Sequence, residues 1–163
     1  MFFYGLTPPG PQRMELMRAS LRAIGLNIEP RGFRGFAIYD AAGSRGSDHA
    51  FVTGGWCQDY PDPYDFVNVL LYGGNIQEEN NNNLAYFNNA RFNKRMVAAA
   101  KLVGTARMKA YGNLDIDIMR SQAPWAVWNN PTNRFFYGRR IAPRSWVYQP
   151  IYENPVYNAL SLR

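Results

Sequence analysis

Residues 2 to 29 place a helical segment between two short apolar segments, and this order restricts the folds that the chain can adopt. Phe2 to Leu6 predicts a strand, and the turn-forming residues Thr7-Pro8-Pro9-Gly10 end it. The apolar residues that recur with the helical period are Met14, Met17, Leu21 and Ile24. Gly25 suits the end of that helix, and Leu26 to Glu29 predicts a second strand that Pro30 stops. Strand, helix and strand in this order indicate parallel pairing through a right-handed crossover.

The rest of the chain extends this pattern to an α/β fold. Phe33 to Ala42 predicts a short helix with Phe33, Phe36 and Ala37 facing inward, and His49 to Thr53 predicts a third strand. Periodicity, caps and glycine boundaries predict further helices at 63–72, 92–103 and 105–122. The last of these is expected to bury Met108, Tyr111, Leu114 and Ile118.

Two other segments lack a helical period. Residues 75–91 contain Asn80 to Asn83 and predict a loop, because asparagine tolerates turn geometry. After Pro124, short extended segments are predicted at 125–128, 134–141 and 146–151. We therefore expect a mixed, mostly parallel sheet flanked by helices, followed by an extended C-terminal tail.

Length and charge limit the classes of function. A chain of 163 residues suits one compact domain, and 15% aromatic residues suggest surfaces that contact a partner. The net charge of +6 keeps a basic nucleic-acid-binding domain as a distant alternative, although the 18 Lys and Arg residues form no basic run. Only Cys57 is present, so no intrachain disulfide forms. Residues 1–6 lack export-signal features, which predicts either a cytoplasmic protein or a piece whose signal lies upstream.

The third predicted strand leads directly into the segment Gly54-Gly55-Trp56-Cys57-Gln58-Asp59-Tyr60-Pro61-Asp62-Pro63. This segment therefore lies just beyond the carboxyl end of a sheet strand, where open α/β sheets bind ligands. Tyr60 and Asp62 each precede a proline, which favours extended backbone and a stiff loop. A single carboxylate at a fixed position, such as that of Asp59, can pair with the cationic amino terminus of a peptide.

Residues 55–63 resemble the corresponding segment of family 5 extracellular solute-binding proteins, and the Trp-Cys-x-Asp-Tyr core is similar to that of oligopeptide-binding members. The Asn-rich loop, the helices that follow it and Ala123-Pro124 fall in the family's order. The resemblance implies one lobe of a type II periplasmic-binding-protein-like fold. On it, residues 1–130 form the C-terminal ligand-binding lobe, and residues 131–163 form a tail that packs on the missing N-terminal lobe.

The resemblance also implies a function. The chain is expected to be the substrate-binding component of an ABC importer, periplasmic or extracellular and in some members lipid-anchored, with permease subunits as partners. Asp59 would anchor a peptide's amino group, and the other ligand-binding residues would be Gly55, Trp56, Cys57 and Tyr60. Gly54 and Gly55 would let an extended peptide approach the main chain. No enzyme activity, cofactor or metal is expected.

Several alternatives stay open at this point. Asp59 can instead satisfy loop amides, Trp56 and Cys57 can be buried apolar residues, and Asp62 can cap the helix beside a first-turn Asp65. Thr53 stands where an oligopeptide-binding relative can place an arginine, so non-peptide ligands of the family (nickel complexes, haem, sugars or opines) compete with peptides. A peptide-sensing receptor shares every feature. An enzyme would need Asp59 with Asp62, or Cys57 with His49, as catalytic pairs.

Overall fold

The computed structural model describes residues 1–128, 134–149, 151 and 154–163. The strands are β1 (Phe2–Gly5), β2 (Pro30–Phe33), β3 (Phe51–Val52), β4 (Tyr148–Gln149) and β5 (Asn154–Pro155). The helices are α1 (Gly10–Ala23), α2 (Ala37–Ala42), α3 (Tyr64–Leu71), α4 (Ala90–Ala100) and α5 (Gly104–Ser121). The predicted helices at 63–72, 92–103 and 105–122 are therefore confirmed in number and place.

Strands β1, β2 and β3 form one parallel sheet in the order β2-β1-β3. Phe2 is aligned with Pro30 on one side and with Phe51 on the other. The predicted α/β fold with parallel pairing around a crossover helix is thus confirmed. The prediction of a strand at Leu26–Glu29 is wrong, because the second strand begins at Pro30. A proline is accommodated there because it is the first residue of a strand that has one partner in the described sheet.

Helix α2 begins later than the sequence predicts. Phe33 belongs to β2 and its ring lies 4.8 Å from that of Phe3, whereas Phe36 is 82% exposed. Gly35, with φ of +54°, separates the strand from the helix. The buried residues of α2 are Ile38 and Ala42. Phe33 does pack inward, from β2, but the predicted inward positions of Phe36 and Ala37 are wrong, because both residues are exposed.

The main core lies between α3, α4 and α5 and is separate from a smaller cluster beneath the sheet. Its buried members are Val67, Leu71, Phe92, Met96, Ala99, Tyr111, Leu114 and Ile118. Three of the four predicted core residues of α5 are confirmed, but Met108 is 57% exposed. Gly104, which lies between the two predicted helices at 92–103 and 105–122, is the first residue of α5, with φ of +57°.

The Asn-rich loop is tied to the sheet region by buried side chains. Asn81 donates from Nδ2 to the carbonyl of Gly43 at 2.7 Å, and Asn83 accepts the N–H of Phe87 at 3.0 Å. Both asparagines are at most 5% exposed. The predicted loop is confirmed as irregular backbone for residues 76–89, whereas residues 90 and 91 already belong to α4. Two of its amides are part of the packed structure.

The C-terminal tail forms its own small hydrogen-bonded unit. Strands β4 and β5 pair antiparallel, and Ile141 bridges to Leu162. Tyr137 stacks on Trp146 with ring centroids 4.9 Å apart. No strand forms in 125–128, and only Tyr148–Gln149 is a strand within the described part of 146–151. Among the described residues, no helix has both the length and the apolarity needed to cross a membrane.

Candidate functional site

Residues 54–63 connect the end of β3 to the start of α3 without regular secondary structure. The N–H of Thr53 donates to the carbonyl of Phe3 at 2.9 Å, so the last sheet contact on this side immediately precedes the loop. The predicted ligand-binding residues are mostly accessible. Gly55, Cys57, Asp59 and Tyr60 are exposed, and Trp56 is half-buried.

Asp65, in the first turn of α3, organises this loop. Its side chain is 0% exposed, and its two carboxylate oxygens each accept one hydrogen bond from the loop. Oδ1 accepts the indole N–H of Trp56 at 3.2 Å, and Oδ2 accepts the main-chain N–H of Asp59 at 2.8 Å. The sequence correctly places an acidic residue in the first turn, but it gives no sign of these two contacts.

Within the part of the chain that the structure describes, the main chain of Asp59 is hydrogen-bonded, whereas its carboxylate is not. Asp59 is exposed, and within the described residues its side chain takes part in no hydrogen bond or ion pair. Its N–H is the group that Asp65 holds. The residue is thus fixed through its backbone while its carboxylate faces solvent.

Asp62 forms an ion pair with Arg107, a residue of α5. The Arg107 Nε and Nη2 atoms each donate to one Asp62 oxygen at 2.8 Å, and Asp62 Oδ1 also accepts the N–H of Tyr64 at 2.8 Å. Arg107 further donates to the carbonyl of Ala100 at 2.7 Å, at the end of α4. Asp62 thus hydrogen-bonds the first residue of α3, but the N-cap position itself is Pro63, which makes no side-chain cap contact in the described structure. Asp62 also forms a bidentate ion pair that the sequence did not predict.

This ion pair predicts acid-dependent stability. The hydrogen bond from Arg107 holds the pKa of Asp62 below its ordinary value of 3.8, against the opposing effect of burial. A lowered folded-state pKa stabilises the fold above the unfolded-state pKa, and the contribution disappears as the pH falls through the folded-state pKa. We expect Asp62→Asn to lower the free energy of unfolding by about 1 kcal/mol at about pH 6.

Urea unfolding at pH values from about 6 to about 2.5 measures this effect, since the difference between wild type and Asp62→Asn should shrink toward the acid end. Asp115→Asn is the matched control, because Asp115 is exposed on α5. A difference between wild type and Asp62→Asn that stays constant over this range would contradict the assignment.

The main-chain groups of Gly55 already contact the hydroxyl of Tyr39. The N–H of Gly55 donates to the Tyr39 hydroxyl oxygen at 3.2 Å, and this hydroxyl lies 3.5 Å from the Gly55 carbonyl oxygen. Gly54 has side-chain atoms of Leu84 and Tyr39 as its nearest neighbours, at 3.6 and 3.9 Å from an added Cβ position. Among the described residues outside 54–56, Gly55 has no atom within 4 Å of its Cβ position, so Gly55 offers the more open approach, while its main-chain groups already have Tyr39 as a partner.

Two residues that an enzyme would need, His49 and Asp62, form contacts with other residues of the protein. His49 contacts the Ser47 hydroxyl through Nδ1 and donates from Nε2 to the Leu84 carbonyl, both at 2.9 Å. Asp62, the partner proposed for Asp59, is paired with Arg107. In the described parts of the chain, no group of three or more His, Cys, Asp or Glu residues is arranged to hold a metal ion.

An open depression of about 390 Å³ lies at the Asn-rich loop. Its lining is mainly amide side chains, including Asn75, Gln77, Asn80 and Asn82. None of the predicted ligand-binding residues lines it. The depression is therefore separate from residues 54–65, whose contacts are described above.

Comparison with known proteins gives one curated relative and several solved structures. No protein-family model matches the chain. Heme-binding protein A of Haemophilus influenzae is 34% identical over 119 residues, which are 72% of this chain and 21% of that protein. The chain thus spans about a fifth of the length of the curated relative that it matches.

Three solved structures share the fold. The ABC transporter-associated periplasmic binding protein DppA from Helicobacter pylori, in complex with the peptide STSA, has a TM-score of 0.66 and 21% identity, covering 76% of this chain and 23% of its own. HbpA2 from Haemophilus parasuis has a TM-score of 0.68 and 18% identity, covering 99% and 32%. Clavulanic acid biosynthesis oligopeptide binding protein 2 has a TM-score of 0.61 and 19% identity, covering 73% and 23%. The resemblance predicted from the sequence is confirmed, and the chain is related to the family 5 extracellular solute-binding proteins.

Proposed function

We propose that this chain is part of the substrate-binding component of an ABC importer and captures peptides between two lobes. Residues 1–130 would form the C-terminal lobe, and residues 131–163 would pack on a second lobe. The protein would act outside the cytoplasmic membrane, with or without a lipid anchor, deliver its ligand to permease subunits, and catalyse no reaction. Two of the three fold neighbours and the curated relative are named as binding proteins, and these names support the assignment.

The observation that carries the proposal is the accessible carboxylate of Asp59 on a fixed main chain. Its backbone N–H is held by a fully buried carboxylate at 2.8 Å, while its own side chain is free of protein partners within the described residues. Such a group loses little conformational freedom when it pairs with a cation. A peptide's amino terminus offers three N–H donors and one positive charge, so it complements this site.

The geometry of β3 favours an extended ligand. Phe51 and Thr53 direct their N–H groups toward β1, at 3.3 Å from the Met1 carbonyl and 2.9 Å from the Phe3 carbonyl. Because main-chain groups alternate in direction along a strand, Val52 directs its main-chain groups to the opposite edge, just before Gly54. An extended peptide can add to that edge as a strand and reach Asp59 with its amino terminus.

The tail supplies a second argument for a two-lobed protein. Phe136 is 92% exposed, and Tyr137 and Tyr148 are 51% and 47% exposed, next to the stacked Trp146. Exposed apolar surface of this kind is typical of an interface. A second lobe that covers these rings would bury them.

Peptide titration tests the proposal directly. The two-lobed protein is titrated by calorimetry with the peptide STSA, its N-acetylated form and its C-terminally amidated form. We expect acetylation to weaken binding by about tenfold or more, because it removes the positive charge while leaving one N–H donor. Amidation should cost less, since Thr53 offers no cation to the carboxyl end. Equal affinities for the free and acetylated peptides would exclude Asp59 as an amino-group anchor.

A haem-type ligand is the second candidate, because the curated relative at 34% identity is named a heme-binding protein. Both ring nitrogens of His49 already have partners, at 2.9 Å each, so the accessible Cys57 is the better placed candidate for a contact with iron. Titration with haemin, followed by its absorbance, distinguishes the two ligands. Saturable binding of haemin without binding of STSA would favour this candidate.

A further inference from the structure

We infer that Asp65 is the positioning residue of the ligand site: its buried carboxylate holds Asp59 and Trp56 in one fixed arrangement. This inference rests on the proposed function, because it assigns Asp65 a role in amino-group recognition by Asp59. Asp65 itself is 0% exposed, so its carboxylate is not accessible to a ligand from solvent.

The carboxylate of Asp65 accepts hydrogen bonds from two of the proposed ligand-binding residues. One oxygen accepts the Asp59 main-chain N–H at 2.8 Å, and the other accepts the Trp56 indole N–H at 3.2 Å. These donors are three residues apart in the loop, and Asp65 lies beyond it in α3. The carboxylate therefore connects the loop to a helix whose buried apolar residues, Val67 and Leu71, belong to the main core.

The two contacts require two acceptors. A carboxylate offers both oxygens as acceptors, whereas an amide offers one oxygen and presents N–H donors on the other side. Asp65→Asn would therefore place a donor against either the Asp59 N–H or the Trp56 indole N–H. One loop contact would be lost with almost no change in side-chain volume.

Asp62 supplies a matched control from the same segment. It also joins the loop region to a helix, through Arg107 at 2.8 Å, but its side chain forms no hydrogen bond with Asp59 or Trp56 in the described structure. Asp62→Asn should lower stability without changing how the site distinguishes peptide ends. Asp65→Asn should change that discrimination.

The experiment measures the ratio of the affinities for STSA and N-acetyl-STSA in the two-lobed protein. We expect the ratio to fall from about tenfold or more in wild type to about twofold in Asp65→Asn, and to stay at the wild-type value in Asp62→Asn. In an Asp59→Ala background, Asp65→Asn should have little further effect on the ratio, because the two residues act as a unit. Asp65→Ser, which keeps one acceptor, provides a second variant if Asp65→Asn does not fold.

Amide hydrogen exchange gives a readout that needs no ligand. The Asp59 amide and the Trp56 indole should exchange faster in Asp65→Asn than in wild type, and Asp62→Asn should leave both unchanged. Unchanged exchange at both groups, or an unchanged affinity ratio in a wild type that does discriminate, would overturn the role of Asp65 alone. A wild type that binds both peptides equally, or neither, would overturn the proposed anchor and the role of Asp65 together.

Discussion

Asp59→Ala is expected to cost about 2 to 5 kcal/mol of peptide affinity in the two-lobed protein, as for removing one member of a desolvated charge pair. The loss arises because the peptide's amino group would be buried by lobe closure without its counter-charge. Calorimetric titration with STSA measures it. The same variant should leave the free energy of unfolding nearly unchanged, since the carboxylate has no protein partner among the described residues.

Asp115→Ala is the matched control, because Asp115 is an exposed aspartate on α5, outside the loop. It should bind STSA as tightly as wild type. If Asp59→Ala and Asp115→Ala bound the peptide equally well, the amino group would have to be recognised by another residue. If Asp59→Ala instead lowered stability, the structural alternative, in which Asp59 serves its own loop, would be favoured.

The position of the candidate site was predictable from local sequence, but the contacts that hold the loop in place were not. Two prolines, two glycines and a preceding strand identify a stiff loop at the carboxyl end of a sheet, and the structure places residues 54–63 there. Arg107 lies 45 residues from Asp62, so no local pattern connects them. Asp65 is close in sequence, yet a first-turn aspartate usually lies at the surface, and its burial follows from how α3 meets the loop.

The same difference between local pattern and long-range packing explains which parts of the fold were predicted correctly. Helices with a clear apolar period were predicted correctly, because periodicity reports which face is buried. Met108 lies on the predicted apolar stripe of α5 but is exposed, since α3 and α4 cover only the part of that face around Tyr111, Leu114 and Ile118. The displacement of β2 to Pro30 has a similar cause. Its place depends on pairing with Phe2 rather than on the apolar character of Leu26 to Glu29.

Tyr111→Ala is expected to destabilise the protein by about 3 to 5 kcal/mol, the range for removing a large buried aromatic side chain. Tyr111 is 1% exposed at the centre of the main core, where its ring lies 5.1 Å from the Arg107 guanidinium. Its hydroxyl donates to Asn68 Oδ1 at 2.8 Å, and burial raises the pKa of the phenol to about 12. Urea unfolding at neutral pH measures the loss.

Two variants separate the causes of this loss. Tyr111→Phe keeps the ring and leaves Asn68 Oδ1 without its donor, so it should cost about 1 to 2 kcal/mol. Met108→Ala, on the same helix and 57% exposed, should cost less than about 1 kcal/mol, because little apolar surface leaves the core. A large loss in Met108→Ala would mean that the exposed face of α5 is covered in solution, and the core would then extend beyond the three helices that now define it.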